Sequence, residues 1–99
     1  MAHPWSKSET ALAIRLRMQG RTFAEVREKL IENRCRPRSV VSIADRFDRH
    51  ATDAQKTVSD IIKGINMSRG RGVPIEVRRG WAHQARAAVQ QGMTGQRER

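Results

Sequence analysis

Arg38, Ser42, Asp45, Arg46 and Arg49 fall within the stretch RPRSVVSIADRFDRH, residues 36–50. A guanidinium is a planar fork of donors that matches the oxygens of a phosphate or the O6 and N7 of guanine. A carboxylate is repelled by phosphate, yet it accepts a hydrogen bond from the cytosine amino group. It also holds a neighbouring arginine in place, and Asp45 and Arg49 have the i,i+4 spacing at which side chains on one helix face meet. The stretch therefore carries the groups needed to read base edges, provided it is helical and turns Val40, Ile43 and Phe47 inward. That leaves Arg38, Val41, Ser42, Asp45, Arg46, Asp48 and Arg49 facing out. The plainer alternative is that Asp45 and Asp48 only solvate the helix and pair with arginines.

Composition points the same way. The chain has 99 residues, with 20 Lys and Arg against 10 Asp and Glu, a net charge of +10. A balance this basic implies nucleic acid first, and an anionic membrane or an acidic protein second. Neither half holds the surplus alone: residues 1–50 carry 11 basic and 6 acidic groups, and residues 51–99 carry 9 and 4. A chain of this length is at most one small domain with an appendage. Cys35 is the only cysteine, so an intramolecular disulfide and a cysteine-based zinc site are excluded. No apolar run is long enough for a signal peptide or a membrane span. The expected setting is soluble, reduced and cytoplasmic, nucleoid-associated in a bacterium.

Helix start signals recur. Ser6-Lys7-Ser8-Glu9, Thr22-Phe23-Ala24-Glu25 and Thr52-Asp53-Ala54-Gln55 each fit a capping box. Gly20 stops the first helix, and Arg36-Pro37-Arg38 separates the second from the third. The expected helices run near 6–19, 23–34, 39–50 and 53–66, with a last one from about 75 to 91. Pro74 precedes that last helix and Gly92 follows it, while Gly80 inside it costs roughly 1 kcal/mol relative to alanine. Apolar spacing supports helices throughout: Leu12 with Leu16, Phe23 with Val26 and Leu30, Val40 with Ile43 and Phe47. On the first helix, Ile14 and Met18 project roughly opposite the leucines and need a cover of their own. Val58, Ile61, Ile62 and Ile65 on the fourth helix, and Trp81, Ala85 and Val89 on the fifth, form stripes that could supply it. The docking is expected within one chain or across a two-fold homodimer.

Trp5, Glu9, Leu12, Leu16, Gly20, Phe23, Val26, Leu30, Arg38, Ser39, Ile43 and Phe47 together resemble the pattern of a Myb/SANT-like domain. In that family three aromatics close a trihelical core whose last two helices form a helix-turn-helix, and Trp5, Phe23 and Phe47 match those places. The part from Trp5 to Leu30 is also similar to the N-terminal domain of GcrA-type bacterial cell-cycle regulators. The resemblance covers about half the chain. It implies a trihelical helix-turn-helix DNA-binding domain over 1–52; the start signals and apolar spacing beyond it add a C-terminal helical segment over 53–92 and a flexible tail over 93–99, so that the whole is expected to be all-α. The segment from Leu30 to Arg38 is longer than in a typical Myb repeat, which implies an extra turn on the second helix. The family's base-reading positions fall near Val41, Ala44, Asp45 and Asp48, and none of these is the Lys or Asn used there. A fold and a docking mode carry over; a target sequence does not.

The function expected is that of a double-stranded DNA-binding protein, a small bacterial or phage-type transcription regulator with helix 39–50 in the major groove. Contacts are expected from Arg38, Ser42, Arg46 and Arg49, with Asp45 as a base reader. Lys7, Arg15, Arg17 and Arg21 are candidates for the phosphate backbone. Ser68-Arg69-Gly70-Arg71-Gly72 resembles the core of an AT-hook but lacks the proline directly after the second arginine. It reads as a basic loop in which Arg69 and Arg71 touch phosphate, adding affinity more than specificity. His3, His50 and His83 have no metal-ligand spacing, Trp81 reads as a packing anchor, and Cys35, though flanked by Arg34 and Arg36, reads as a passive loop residue. No nucleophile motif, phosphate-binding glycine loop or paired carboxylates stand out, so neither an enzyme nor a cofactor is expected. Two other readings stay open: an adaptor or inhibitor that binds an acidic partner such as part of the transcription machinery, and the DNA-recognition subunit of a phage packaging machine.

Overall fold

The computed structural model describes residues 4–69 and 72–92, with Arg69 described by its backbone alone. Among them are five α-helices: α1 (Lys7–Met18), α2 (Phe23–Glu32), α3 (Val40–His50), α4 (Asp53–Arg69) and α5 (Ile75–Gln90). The expected caps set three of the starts. Ser6 Oγ accepts the Glu9 amide at 3.0 Å while Glu9 accepts the Ser6 amide at 3.1 Å. Thr22 with Glu25, and Thr52 with Gln55, repeat the exchange at 2.9 and 3.1 Å. Each exchange satisfies two of the backbone donors that a helix start leaves open.

The helices α1, α2 and α3 pack on one another around Ala13, Leu16, Val26, Leu30 and Ile43, with Trp5, Leu12, Phe23 and Cys35 at the margin. A second cluster lies on the other side of α1. There Met18 and Phe47 meet Val58, Ile62, Ala82 and Ala85, flanked by Ile14, Phe23, Ala51, Ile61 and Val89. The Ile14–Met18 stripe is thus covered within the chain, by α4 and α5 packed as a pair. Phe23 touches both clusters, and its ring meets Phe47 edge-on at 5.7 Å. An ion pair ties α5 to the start of α2: Nη1 and Nη2 of Arg78 donate to Glu25, at 2.5 and 2.7 Å. These bonds hold the Glu25 carboxyl below the ordinary glutamate range, against the opposing effect of burial.

One side chain and two helix boundaries differ from those expected. Val40 was placed in the core but is 39% exposed, because Ile43 and Phe47 alone face inward from α3. Helix α4 continues past its expected end at 66, through Met67 and into the expected basic loop at Ser68 and Arg69. Gly70 and Arg71 lie outside the described residues. Helix α2 gains no extra turn and stops at Glu32. The Cys35 amide reaches back to the Leu30 carbonyl at 2.9 Å, and the Arg34 amide to Ile31 at 2.9 Å. This is a Schellman ending, in which the residue after the cap takes a left-handed conformation and the next one packs on the last turn. Cys35 accordingly lies against the first cluster, and its burial, with Glu9 nearby, pushes the thiol up rather than down. The left-handed residue is Arg34, with φ of 63°. Glycine takes that conformation without the cost of about 1–2 kcal/mol that a Cβ brings. Arg34→Gly should therefore raise the unfolding free energy by about 1 kcal/mol in a urea titration, despite removing a surface charge.

Candidate nucleic-acid interface

The stretch read first as chemically active is α3 and the loop before it. Pro37 cannot continue α2, and Ser39 caps α3 by accepting the Ser42 amide at 3.0 Å. Ile43 and Phe47, one turn apart and almost fully buried, fix the roll of the helix. With those two inward, the outward face presents Val41, Asp45, Asp48 and Arg49. Arg49 Nε donates to Asp45 Oδ2 at 3.0 Å, with side-chain exposures of 71% and 59%. A pair so wet adds little to stability. Its effect is on direction: the guanidinium is held along the helix face beside the carboxylate.

Two other arginines of the stretch, Arg38 and Arg46, lean back onto α1. Arg46 Nε donates to Thr10 Oγ1 at 2.9 Å, and its guanidinium carbon lies 5.7 Å from the centre of the Trp5 ring. Arg38 stacks closer, at 4.3 Å over the same ring, and its Nη2 reaches Glu9 Oε2 at 3.4 Å and the Pro4 carbonyl at 3.3 Å. Burial pushes the Glu9 carboxyl up, but the Ser6 amide and the Arg38 charge outweigh it and leave the group below its ordinary range. Arg27 adds a hydrogen bond from Nε to the Arg38 carbonyl, at 2.9 Å. Trp5 is therefore a platform for two cations as well as a lid on the core.

The expected contact residues divide into groups. Arg38, Ser42, Asp45, Arg46 and Arg49 come together on or beside α3, with Ser42 half-buried. Lys7, exposed, stands one turn before Thr10, the acceptor of the Arg46 bond. Arg15 is exposed but lines a groove with Ile14, Met18, Gln55 and Arg86, on the α4–α5 side of α1. Arg21 sits in the α1–α2 connection, where its side chain reaches Gln19 Oε1 at 3.4 Å. The side chain of Arg69, and all of Arg71, lie outside the described residues.

Arg17 requires a correction. It was expected at the phosphate backbone but is 3% exposed. Nε donates to Ser59 Oγ at 2.7 Å, Nη2 to the Ser59 carbonyl at 3.1 Å and Nη1 to the Arg21 carbonyl at 2.8 Å. The guanidinium carbon sits 4.3 Å from the centre of the Phe23 ring. Burial pushes this arginine down to about 10, with Asp60 opposing, so it stays charged at neutral pH. It joins α1, α2 and α4 from the inside.

Two basic residues that the sequence reading left out belong to this surface. Arg34 and Arg36 are exposed in the loop that delivers the chain to α3. Their signal was the run of arginines at 34, 36 and 38, of which only Arg38 was expected to touch DNA. Thr10 was missed as well, since nothing in its local sequence marks it as the acceptor for Arg46. Among the described residues, no helix is long and apolar enough to cross a membrane. Compared with protein-family models, with curated proteins and with solved structures, the chain matches none of them.

Proposed function

We propose that this protein binds double-stranded DNA by laying α3 in the major groove, as a small bacterial or phage-type transcription regulator. Within that reading, α1 to α3 are a Myb/SANT-like trihelical unit and α2–α3 its helix-turn-helix. The observation that carries it is α3 itself: a capped helix, pinned by Ile43 and Phe47, that turns Val41, Asp45 and Arg49 outward on a chain of net charge +10. Arg34 and Arg36 before the helix, and Lys7 beside it, suit flanking phosphates. Arg49, held by Asp45, suits a guanine edge; Asp45 suits a cytosine amino group on the opposite strand or step.

The test is selection of bound fragments from a random duplex pool, followed by variants of α3. Arg49→Ala should weaken binding to the selected site by about 1–3 kcal/mol. Asp45→Asn should change which sequence is selected. If Asp45→Asn instead tightens binding to every duplex alike, Asp45 only repels phosphate and reads nothing. The pair of aspartates around an exposed valine also suits a protein surface, which keeps a protein-binding adaptor as the second reading. Pool selection that enriches no sequence would favour it.

A further inference from the structure

Resting on the reading of α3 as a major-groove helix, we infer that Val41 recognises the 5-methyl group of a pyrimidine, making thymine or 5-methylcytosine part of the site. Val41 is 78% exposed, the most exposed large apolar side chain named on α3. A lone exposed valine is ordinary on a protein surface. Three features set this one apart. It is β-branched in a helix, where branching at Cβ is disfavoured and nothing packs on it in return. It lies in the first turn of α3, the end of a recognition helix that contacts base edges. And it shares this face with groups that can make directed hydrogen bonds to bases: Asp45 one turn on, Arg49 one turn further, and Asp48 beside them.

The chemistry of the groove supplies the occupant. The thymine methyl is the one apolar group on the major-groove edge of a base pair, and an apolar side chain is its complement. Cytosine methylated at C5 presents the same group at the same place. Val41 and Asp45 are about 6 Å apart along the helix axis. That spans one to two base steps of roughly 3.4 Å. The methyl-bearing pyrimidine should therefore lie within two steps of the pair that Asp45 touches. The chain's net charge of +10, with Arg34 and Arg36 exposed in the loop before the helix, favours DNA over an apolar protein partner, against the two aspartates that share the face.

The experiment uses the full chain and the duplex it selects from a random pool. Each thymine of that duplex is replaced in turn by deoxyuridine, which deletes the methyl and leaves the hydrogen-bonding edge unchanged. One position, or two neighbouring ones, should lose about fourfold in affinity, which is what hiding one CH₂-sized group amounts to. Val41→Ala should bind the thymine and uridine forms of that position equally, while its preference elsewhere in the site stays as in the parent. Replacing the sensitive thymine by 5-methylcytosine, with guanine opposite, should bind more tightly than unmethylated cytosine there. A selected duplex whose uridine series is flat overturns the inference and leaves DNA binding standing. A methyl preference that survives in Val41→Ala overturns the assignment to this residue. A chain that selects no sequence overturns both the inference and the reading it rests on.

Discussion

Raising the salt from about 50 to about 200 mM should weaken binding to duplex DNA roughly a thousandfold. The expectation follows from counterion release: each phosphate neutralised by a protein cation frees a condensed ion, and adding salt opposes that release. With roughly six phosphates engaged, the slope of log K against log salt is near −5, from about 0.9 per contact. The exposed cations on α3, in the loop before it and at the start of α1 are Arg49, Arg34, Arg36 and Lys7, while Arg38 and Arg46 are held against Trp5. Arg17 is not available to that count, because it is enclosed between α1 and α4. Fluorescence anisotropy of a labelled duplex over a salt series measures the slope directly. Affinity that does not change with salt, or no binding at the lowest salt, ends the DNA reading. A lysine-rich or arginine-rich surface that binds acidic protein also weakens with salt, so the slope is read together with pool selection.

Gly20→Ala should destabilise the fold by about 3 kcal/mol, the largest stability effect expected from one methyl group in this chain. Gly20 follows the last turn of α1 with φ of 96°, a conformation that costs a residue with a Cβ about 1–2 kcal/mol. The added carbon would also lie 2.7 Å from the Arg78 carbonyl oxygen and 3.0 Å from its carbon, both backbone atoms of α5. Backbone cannot yield as a flexible side chain does, so α5 must shift, and overpacking of that kind costs about 1–3 kcal/mol. The shift pulls on the Arg78–Glu25 pair and on the hydrogen bond from Arg78 Nη1 to the Gly20 carbonyl at 3.3 Å. Gly80→Ala is the matched control. It sits inside α5 with open space where its Cβ would go, and should stabilise the chain by roughly 0.5–1 kcal/mol. Thermal or urea unfolding of the two variants should thus move in opposite directions; equal behaviour would mean that α5 does not press against Gly20.

Gly20 also shows where sequence reading stops. As the end of α1 it was legible, since a glycine after a periodic helix is a local signal. Its contact with Arg78 joins residues 58 apart, and no local pattern announces such a meeting. The same division holds elsewhere. The capping boxes at Ser6, Thr22 and Thr52 were readable because both partners lie within four residues. The Ile14–Met18 stripe was readable because helical geometry shows which side chains the first core leaves uncovered. Arg17 was misjudged because charge alone suggests a surface, and only the arrival of Ser59 and two carbonyls makes burial tolerable. Helix α2 was drawn too long because a Schellman ending normally advertises itself with glycine, and here an arginine occupies that place. On α3, the inward roles of Ile43 and Phe47 were legible; the retreat of Arg38 and Arg46 onto Trp5 was not, since it depends on α1 crossing behind.

Arg17 has a last consequence, for how α4 is seated along α1. Apolar stripes count residues poorly: Val58, Ile61, Ile62 and Ile65 would offer α1 a greasy surface after a slide of one turn in either direction. The buried guanidinium does count them. A slide of four residues one way would put Lys63 where Ser59 now stands, setting one ammonium against an enclosed cation. A slide the other way would bring up Gln55, whose side chain is engaged in capping Thr52. Of these three positions, only Ser59 brings a hydroxyl to the guanidinium, and its carbonyl accepts a second bond from it. One charge placed in the seam thus acts as an index mark, stopping the C-terminal hairpin at a single notch along the helix that it covers.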